Sequence, residues 1–255
     1  MKVDNLKLYF GEDILVNEEA GIYVRQPLVK EVVAMGEDNF NKLTLPYTIT
    51  SDAVFNGMEN EEELIKKYHI FELFFMRRED GKTILDDALF DGINAMDIFT
   101  DSLRYFIGAT DIRVLEYKKK LVVDNKYLID KDEYMNLRKV IQKVICKEDL
   151  EVEKPPKNMS KKKLEIWNKL QKGRARKALR EALYFQDVSN FISFGGNSFI
   201  PKREIKDMTV YDFRNAYKSI MGKDAYNTGL QYKLSQKFDV KGEIKHWTES
   251  LRIGK

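Results

Sequence analysis

The sequence of 255 residues contains one cysteine, two histidines and five prolines, and these shortages exclude several classes of protein. A single cysteine, Cys146, cannot form an internal disulfide, and no cluster of cysteine and histidine has the spacing of a structural zinc site. The amino terminus lacks the apolar run of a signal peptide, and no apolar run approaches the roughly 18 residues that span a bilayer. We therefore expect a cytosolic chain.

Residues that could carry catalysis are equally scarce. The two histidines, His69 and His246, have no nucleophile or metal ligand beside them, and each is best interpreted as structural or solvated. No Gly-x-Ser-x-Gly motif is present, and Gly195-Gly196 fits a helix end better than a phosphate-binding loop. The acidic pairs Asp86-Asp87 and Asp130/Asp132 stand where helices are expected to begin, where the helix dipole favours carboxylates. The sequence thus predicts no enzyme, no cofactor and no metal site.

Apolar and charged residues, in contrast, are abundant. Hydrophobic residues make up 43% of the chain and aromatic residues 12%, so the chain can bury enough apolar surface to offset the entropy lost on folding. The 44 Lys and Arg residues nearly balance the 41 Asp and Glu residues and leave a net charge of +3. This balance excludes a field over the whole molecule that would draw it to nucleic acid or to an anionic membrane. Any such binding must be local.

The near-neutral total conceals a strongly basic segment. Residues 154–182 contain eleven Lys or Arg and two Glu, so the segment carries +9 and the rest of the chain −6. A basic helix of this kind can follow a phosphate backbone, lie on a membrane surface or dock on an acidic helical partner, and a solvated face beside a linker is an equally good interpretation. Exposed parts of the helices between residues 60 and 106 are further candidates for partner binding. The candidate partner-binding residues of the basic segment are Lys161, Lys162, Lys163, Trp167, Lys172, Arg174, Arg176, Lys177 and Arg180.

Hydrophobic periodicity predicts an α+β fold that is mainly helical. We expect the N-terminal part to contain a small antiparallel sheet and three to four helices. The predicted strands are a hairpin between Leu6 and Val24 and two or three short strands between Asp111 and Asp130. The predicted helices span about 27–46, 61–75, 86–108 and 130–147, and Asp130 or Asp132 caps the last of them.

A proline-containing linker is predicted at residues 151–159, because two consecutive prolines exclude helix and favour an extended chain. It separates an α+β N-terminal domain, residues 1–150, from a helical C-terminal domain, residues 160–255, that begins with the basic helix. The further helices expected in the second domain span about 183–194, 209–221 and 225–238, and Trp247 is expected to pin the tail.

Several short stretches, taken in order, carry a resemblance to a known family. They are Ile22 to Val32 with Met35-Gly36-Glu37 and Phe40; Val123 to Ile129 with Glu133 to Ile141; Asn158, Trp167 and Lys172-Gly173-Arg174; Met208 to Phe213; and His246-Trp247. In this series the chain resembles the tail assembly chaperones encoded by bacteriophages and prophages of Gram-positive bacteria.

The resemblance implies a non-enzymatic protein of the host cytoplasm. Such a protein coats the long, helical tape measure protein and helps to recruit tail tube protein during tail assembly. It implies no membrane partner and leaves self-association open. Two alternatives stay open beside it: a nucleic-acid-binding protein that uses residues 154–182, and a structural protein of the virion.

Overall fold

The fold is described by a computed structural model that covers residues 3–58, 60–89, 92–154, 156, 160–235 and 244–249. It is mainly helical, with one two-stranded and one three-stranded antiparallel sheet. The predicted α+β class is therefore confirmed.

The N-terminal part begins with a short helix and a β-hairpin. Their bounds are α1 (Asn5–Tyr9), β1 (Ile14–Asn17) and β2 (Ile22–Val24). Asp4 caps α1 by accepting hydrogen bonds from two backbone N–H groups, and the side-chain amide of Gln26 donates to three carbonyl oxygens between residues 7 and 12. The hairpin is confirmed for residues 14–24, but the prediction of a strand at residues 6–10 is wrong. A helix forms there because these two side chains satisfy the polar backbone groups at its ends.

Three helices predicted between residues 27 and 108 are each divided in two, so the prediction of continuous helices there is wrong. The short helix α4 (Ser51–Phe55) lies between the first and second pairs. The divided helices are α2 (Val29–Met35) and α3 (Glu37–Thr44), α5 (Glu61–Lys67) and α6 (Ile70–Leu73), and α7 (Ile84–Leu89) and α8 (Ala95–Ile107).

Each interruption has a local cause in a capping residue. Gly36 adopts a φ of 86°, which is favourable for glycine, and so ends α2 where α3 begins. His69 starts α6 because its Nδ1 accepts a hydrogen bond of 3.2 Å from the backbone N–H of Phe71. Asp86 lies in the first turn of α7 and also accepts a hydrogen bond of 2.8 Å from the backbone N–H of Ala95, which begins α8. One buried carboxylate therefore holds the N-termini of two helices, where the dipole favours it.

The three-stranded sheet and the helix that follows it agree with the predictions. The strands β3 (Ile112–Leu115), β4 (Lys120–Val123) and β5 (Tyr127–Ile129) pair in sequence order. The helix α9 (Lys131–Ile145) begins after Asp130, whose carboxylate accepts hydrogen bonds from two backbone N–H groups. The buried stripe of α9 contains all the residues expected for it: Tyr134, Leu137, Val140, Ile141 and Val144.

The described residues of the C-terminal part form four α-helices. They are α10 (Lys161–Glu181), α11 (Phe185–Phe194), α12 (Lys202–Asp207) and α13 (Val210–Leu234). The predictions of α10, of α11 and of a cap at Thr209 are confirmed, whereas α12 was not predicted.

The predicted end of a helix at Gly222 is wrong, because α13 continues through this glycine to Leu234. A glycine inside a helix costs about 1 kcal/mol relative to alanine. The returning chain packs on the same helix: Ile244 lies close to Gly229, and the turn at Trp247–Glu249 contacts α13, so Trp247 is placed as expected. Residues 236–238, at the end of the predicted last helix, lie outside the described residues.

Helices α11, α12 and α13 share a core with the N-terminal part. The chain at Leu28 forms an antiparallel bridge with Thr209, closed by backbone hydrogen bonds of 3.0 Å from Val29 to Met208 and 2.8 Å from Val210 to Pro27. Beside the bridge, the rings of Phe185 and Phe213 stack at 5.0 Å, and Phe185 also meets Phe40 edge to face. The division into two domains at residues 151–159 stays a prediction, and Pro155 and residues 157–159 lie outside the described residues.

We expect Phe213→Ala to lower the free energy of unfolding by about 3–5 kcal/mol, because it empties the site of a fully buried ring. Phe199→Ala is the matched control: the Phe199 ring is 63% exposed, and its loss should change stability by no more than about 0.5 kcal/mol. Urea denaturation followed by circular dichroism measures both. Equal losses in the two variants would contradict the shared core.

Candidate functional site: the basic helix

Helix α10, the basic helix, carries the candidate partner-binding residues. It begins at Ser160, whose hydroxyl accepts a hydrogen bond from the backbone N–H of Lys163, as expected of a serine N-cap. Its 21 residues make it about 32 Å long. Among its described side chains none is buried: Trp167 and Gln171 are half-buried and the others are exposed. Most of the described side chains of the helix are therefore accessible to a partner.

The cations of the basic helix are concentrated on one face. Successive residues of an α-helix are rotated by about 100°, so residues spaced by 7, 3, 4 and 4 positions fall within a sector of about 80°. All five side chains of this set are exposed cations, and we call the set the cationic stripe. Its members are Lys162, Lys169, Lys172, Arg176 and Arg180.

Apolar side chains flank the cationic stripe. Ile166 and Leu170 lie one turn apart beside it and are 51% and 58% exposed. Beyond the end of the helix, Leu183 lines a cleft of about 480 Å³ together with the rings of Phe191 and Tyr217, which meet at 5.3 Å, and with the polar side chains of Asp187 and Asn190. A partner could therefore bury apolar surface next to the positive charges.

The opposite face of the basic helix is turned toward the linker. Trp167, Gln171 and Arg174 lie on this face. The Gln171 amide and the Arg174 guanidinium both donate to Oε2 of Glu153, the latter at 2.7 Å. The helix is thus oriented by contacts of one face, while the cationic stripe points away from them.

The structure divides the nine candidate residues among different positions. Four of them, at 162, 172, 176 and 180, belong to the cationic stripe. Arg174 pairs with Glu153, Lys177 pairs with Glu181 at 3.7 Å, and Lys163 projects between the two faces. The side chain of Lys161 lies outside the described residues. Lys169 completes the stripe and was missed as a candidate, although its spacing of seven residues from Lys162 could have identified it.

The helices between residues 60 and 106 contribute a different surface. Glu61 of α5 and Asp52 of α4 both bind Lys154 of the linker, at 3.2 and 2.6 Å. Exposed side chains of α8 include Asp101 and Arg104, which pair with each other at 2.7 Å. The carboxylates of α4 and α5 therefore form ion pairs with a basic residue of the linker.

The residues considered for catalysis have structural contacts in this fold. His69 caps α6, and His246 lies 4.9 Å from the ring of Tyr226. Within the described ranges, no group of three or more His, Cys, Asp or Glu side chains could hold a metal ion. In the same ranges we find no helix that combines the length and apolarity needed to cross a membrane.

Comparison with known protein families, with curated proteins and with solved structures finds no match for the chain.

Lys147, which follows α9, has a pKa well below the ordinary value of lysine. Its ammonium group donates to Oδ1 of Asn41 at 2.8 Å and to the hydroxyl of Thr44 at 3.0 Å, both on α3. Burial lowers the pKa of Lys147 to about 8, and the nearby charge of Arg214 acts in the same direction. Two neutral acceptors on one helix indicate that this lysine ties the end of α9 to α3.

We expect Gly173→Ala to stabilise the basic helix by about 1 kcal/mol, because a mid-helix glycine is replaced and the added methyl group meets nothing within 4 Å. Hydrogen exchange should become about fivefold slower for the amides of residues 165–180. Ala178→Gly, on the same helix, is the matched control and should accelerate exchange by a similar factor. Unchanged exchange in both variants would show that α10 is not an independent helical unit in solution.

Lys147 makes a prediction about pH. Because its pKa is lowered to about 8 in the folded state, the unfolded chain binds more protons between about pH 8 and its ordinary value near 10.5. Stability should therefore rise with pH across this window through the Lys147 contribution. Lys147→Met removes the titrating group and should flatten that rise in urea denaturation at about pH 7 and about pH 10. An identical pH dependence in wild type and variant would contradict the lowered pKa of Lys147.

Proposed function

We propose that the protein is a non-enzymatic tail assembly chaperone of a bacteriophage or prophage. It acts in the cytoplasm of the host bacterium, binds the tape measure protein and helps to recruit tail tube subunits. The observation that carries the proposal is the surface of the basic helix, on which an exposed cationic stripe runs beside exposed apolar side chains. The resemblance of the chain's motif series to such chaperones supplies the identity of the partner.

The surface suits a partner that is helical, apolar on one face and acidic beside it. Ile166 and Leu170 are too exposed to contribute to the core of this chain, and they gain burial only when another molecule covers them. The cations beside them favour carboxylates and set the orientation of the partner. A long helix with an exposed apolar stripe needs such cover, because it would otherwise associate with itself.

The cationic stripe also favours a second candidate, a nucleic-acid-binding protein. Five exposed cations on one face of a helix can contact successive phosphates. Only one aromatic residue, Trp167, accompanies them, and it lies on the opposite face, where it cannot stack bases against the stripe. The third possibility, a structural protein of the virion, differs from a chaperone in that the protein would be found in purified particles by mass spectrometry.

We expect the triple variant Lys169→Glu, Lys172→Glu, Arg176→Glu to lose binding to the tape measure protein. The three substitutions reverse the charge at the centre of the stripe without touching a buried side chain. Co-expression of the tape measure protein from the same phage genome, followed by affinity purification, measures the amount of soluble complex. Wild type should keep the tape measure protein soluble, and the variant should recover at least about tenfold less complex.

The matched control reverses three exposed cations of α12 with the same change in net charge: Lys202→Glu, Arg203→Glu, Lys206→Glu. It should recover as much complex as wild type. A tape measure protein that is equally soluble without this protein would refute the chaperone function. Titration with duplex DNA at two salt concentrations tests the second candidate, since phosphate contacts give an affinity that falls steeply with salt.

A further inference from the structure

Two neighbouring residues of the linker connect the basic helix to the N-terminal part of the molecule. Lys154 binds Asp52 of α4 at 2.6 Å and Glu61 of α5 at 3.2 Å. Glu153, one position earlier, accepts hydrogen bonds from Gln171 and Arg174 in the middle of α10. The two side chains carry opposite charges and bind opposite partners. Together they connect α10 to α4 and α5 of the N-terminal part. None of the described side chains of α10 is buried.

The contacts of Glu153 and Lys154 lie at the surface of the molecule. The side chains of Glu153 and Arg174 are 64% and 66% exposed, and the Lys154 side chain is 44% exposed. Exposed ion pairs contribute little individually and are screened by salt. The hydrogen bond from Gln171 and the charge of Arg174 lower the pKa of Glu153, and the carboxylates around Lys154 raise its pKa. Both side chains are therefore fully charged near neutral pH.

We propose that Glu153 and Lys154 form an electrostatic clasp that holds the basic helix in the free protein and opens when an acidic helical segment of a protein partner binds. In the free protein the carboxylate of Glu153 accepts hydrogen bonds from Gln171 and Arg174. In the complex a carboxylate of the partner replaces it. Opening releases Gln171 and Arg174, which share a face with the half-buried Trp167, so a helical partner gains access to this face beside Ile166 and Leu170. The role of the clasp in partner binding rests on the proposed function, but the clasp itself is a property of the free chain.

The closed clasp is tested on the free protein by pulsed electron paramagnetic resonance. Spin labels are attached at Lys66→Cys on α5 and Asn168→Cys on α10, both exposed positions, in a Cys146→Ser background. We expect a narrow distance distribution that broadens in Glu153→Lys and in Arg174→Glu. The double variant Glu153→Arg, Arg174→Glu restores the pair with exchanged charges and should narrow the distribution again. Glu151→Lys, the same charge change on the same linker, is the control and should leave it narrow.

The opening of the clasp is tested with a synthetic amphipathic helical peptide that has glutamates on one face and leucines on the other. Titration of this peptide should broaden the distance distribution of the labelled chain. Glu153→Gln should bind the peptide about two- to fivefold more tightly than wild type, the range expected when one exposed ion pair no longer competes. The Glu151→Gln control should bind like wild type.

The results separate the clasp from the proposed function. A distribution that stays narrow in Glu153→Lys, or that the charge exchange does not restore, overturns the clasp whatever the peptide does. Peptide binding that leaves the distribution narrow overturns the opening. If the free protein shows the closed clasp but the peptide does not bind at all, the basic helix is not a docking surface for acidic helices, and the proposed function loses the observation that carries it.

Discussion

The position of the basic helix depends on contacts that the chain makes with the N-terminal part immediately before and immediately after this helix. On one side, Lys154 binds the carboxylates of α4 and α5. On the other, the backbone N–H of Phe185 donates to Glu37 at 2.9 Å, and the Phe185 ring lies between Phe40 and Phe213 in the core. The bridge between Leu28 and Thr209 secures the next segment. The segments on both sides of the basic helix are therefore attached to the N-terminal part of the molecule.

The core and the basic helix are stabilised by different interactions. The core is held by fully buried aromatic rings, such as Phe99 and Tyr134, and each contributes burial and ring-to-ring contacts. None of the described side chains of the basic helix is buried, so its N-cap and its exposed polar contacts sustain it. Burial of the exposed Ile166 and Leu170 by a partner would add apolar contacts to this helix.

The sequence predicts elements with a strong local signal and misses those decided by individual contacts. The three strands, α9 and the basic helix follow from periodicity and capping residues, since Asp130 and Ser160 act within one turn of their own helices. The division between α7 and α8 depends on Asp86 reaching Ala95 nine positions away, which no periodicity reveals. For the site, the spacing of the cations is readable from the sequence, whereas the pairing of Glu153 with Arg174 across 21 positions is a consequence of the fold.

Hydrogen exchange measured with and without the tape measure protein tests the central claim most directly. The account predicts that the amides of residues 161–181 exchange rapidly in the free protein and become protected in the complex, because the basic helix is the surface that the partner covers. The amides of α9, which lie in the core, should exchange slowly in both states. Formation of the complex without any added protection of residues 161–181 would contradict the claim.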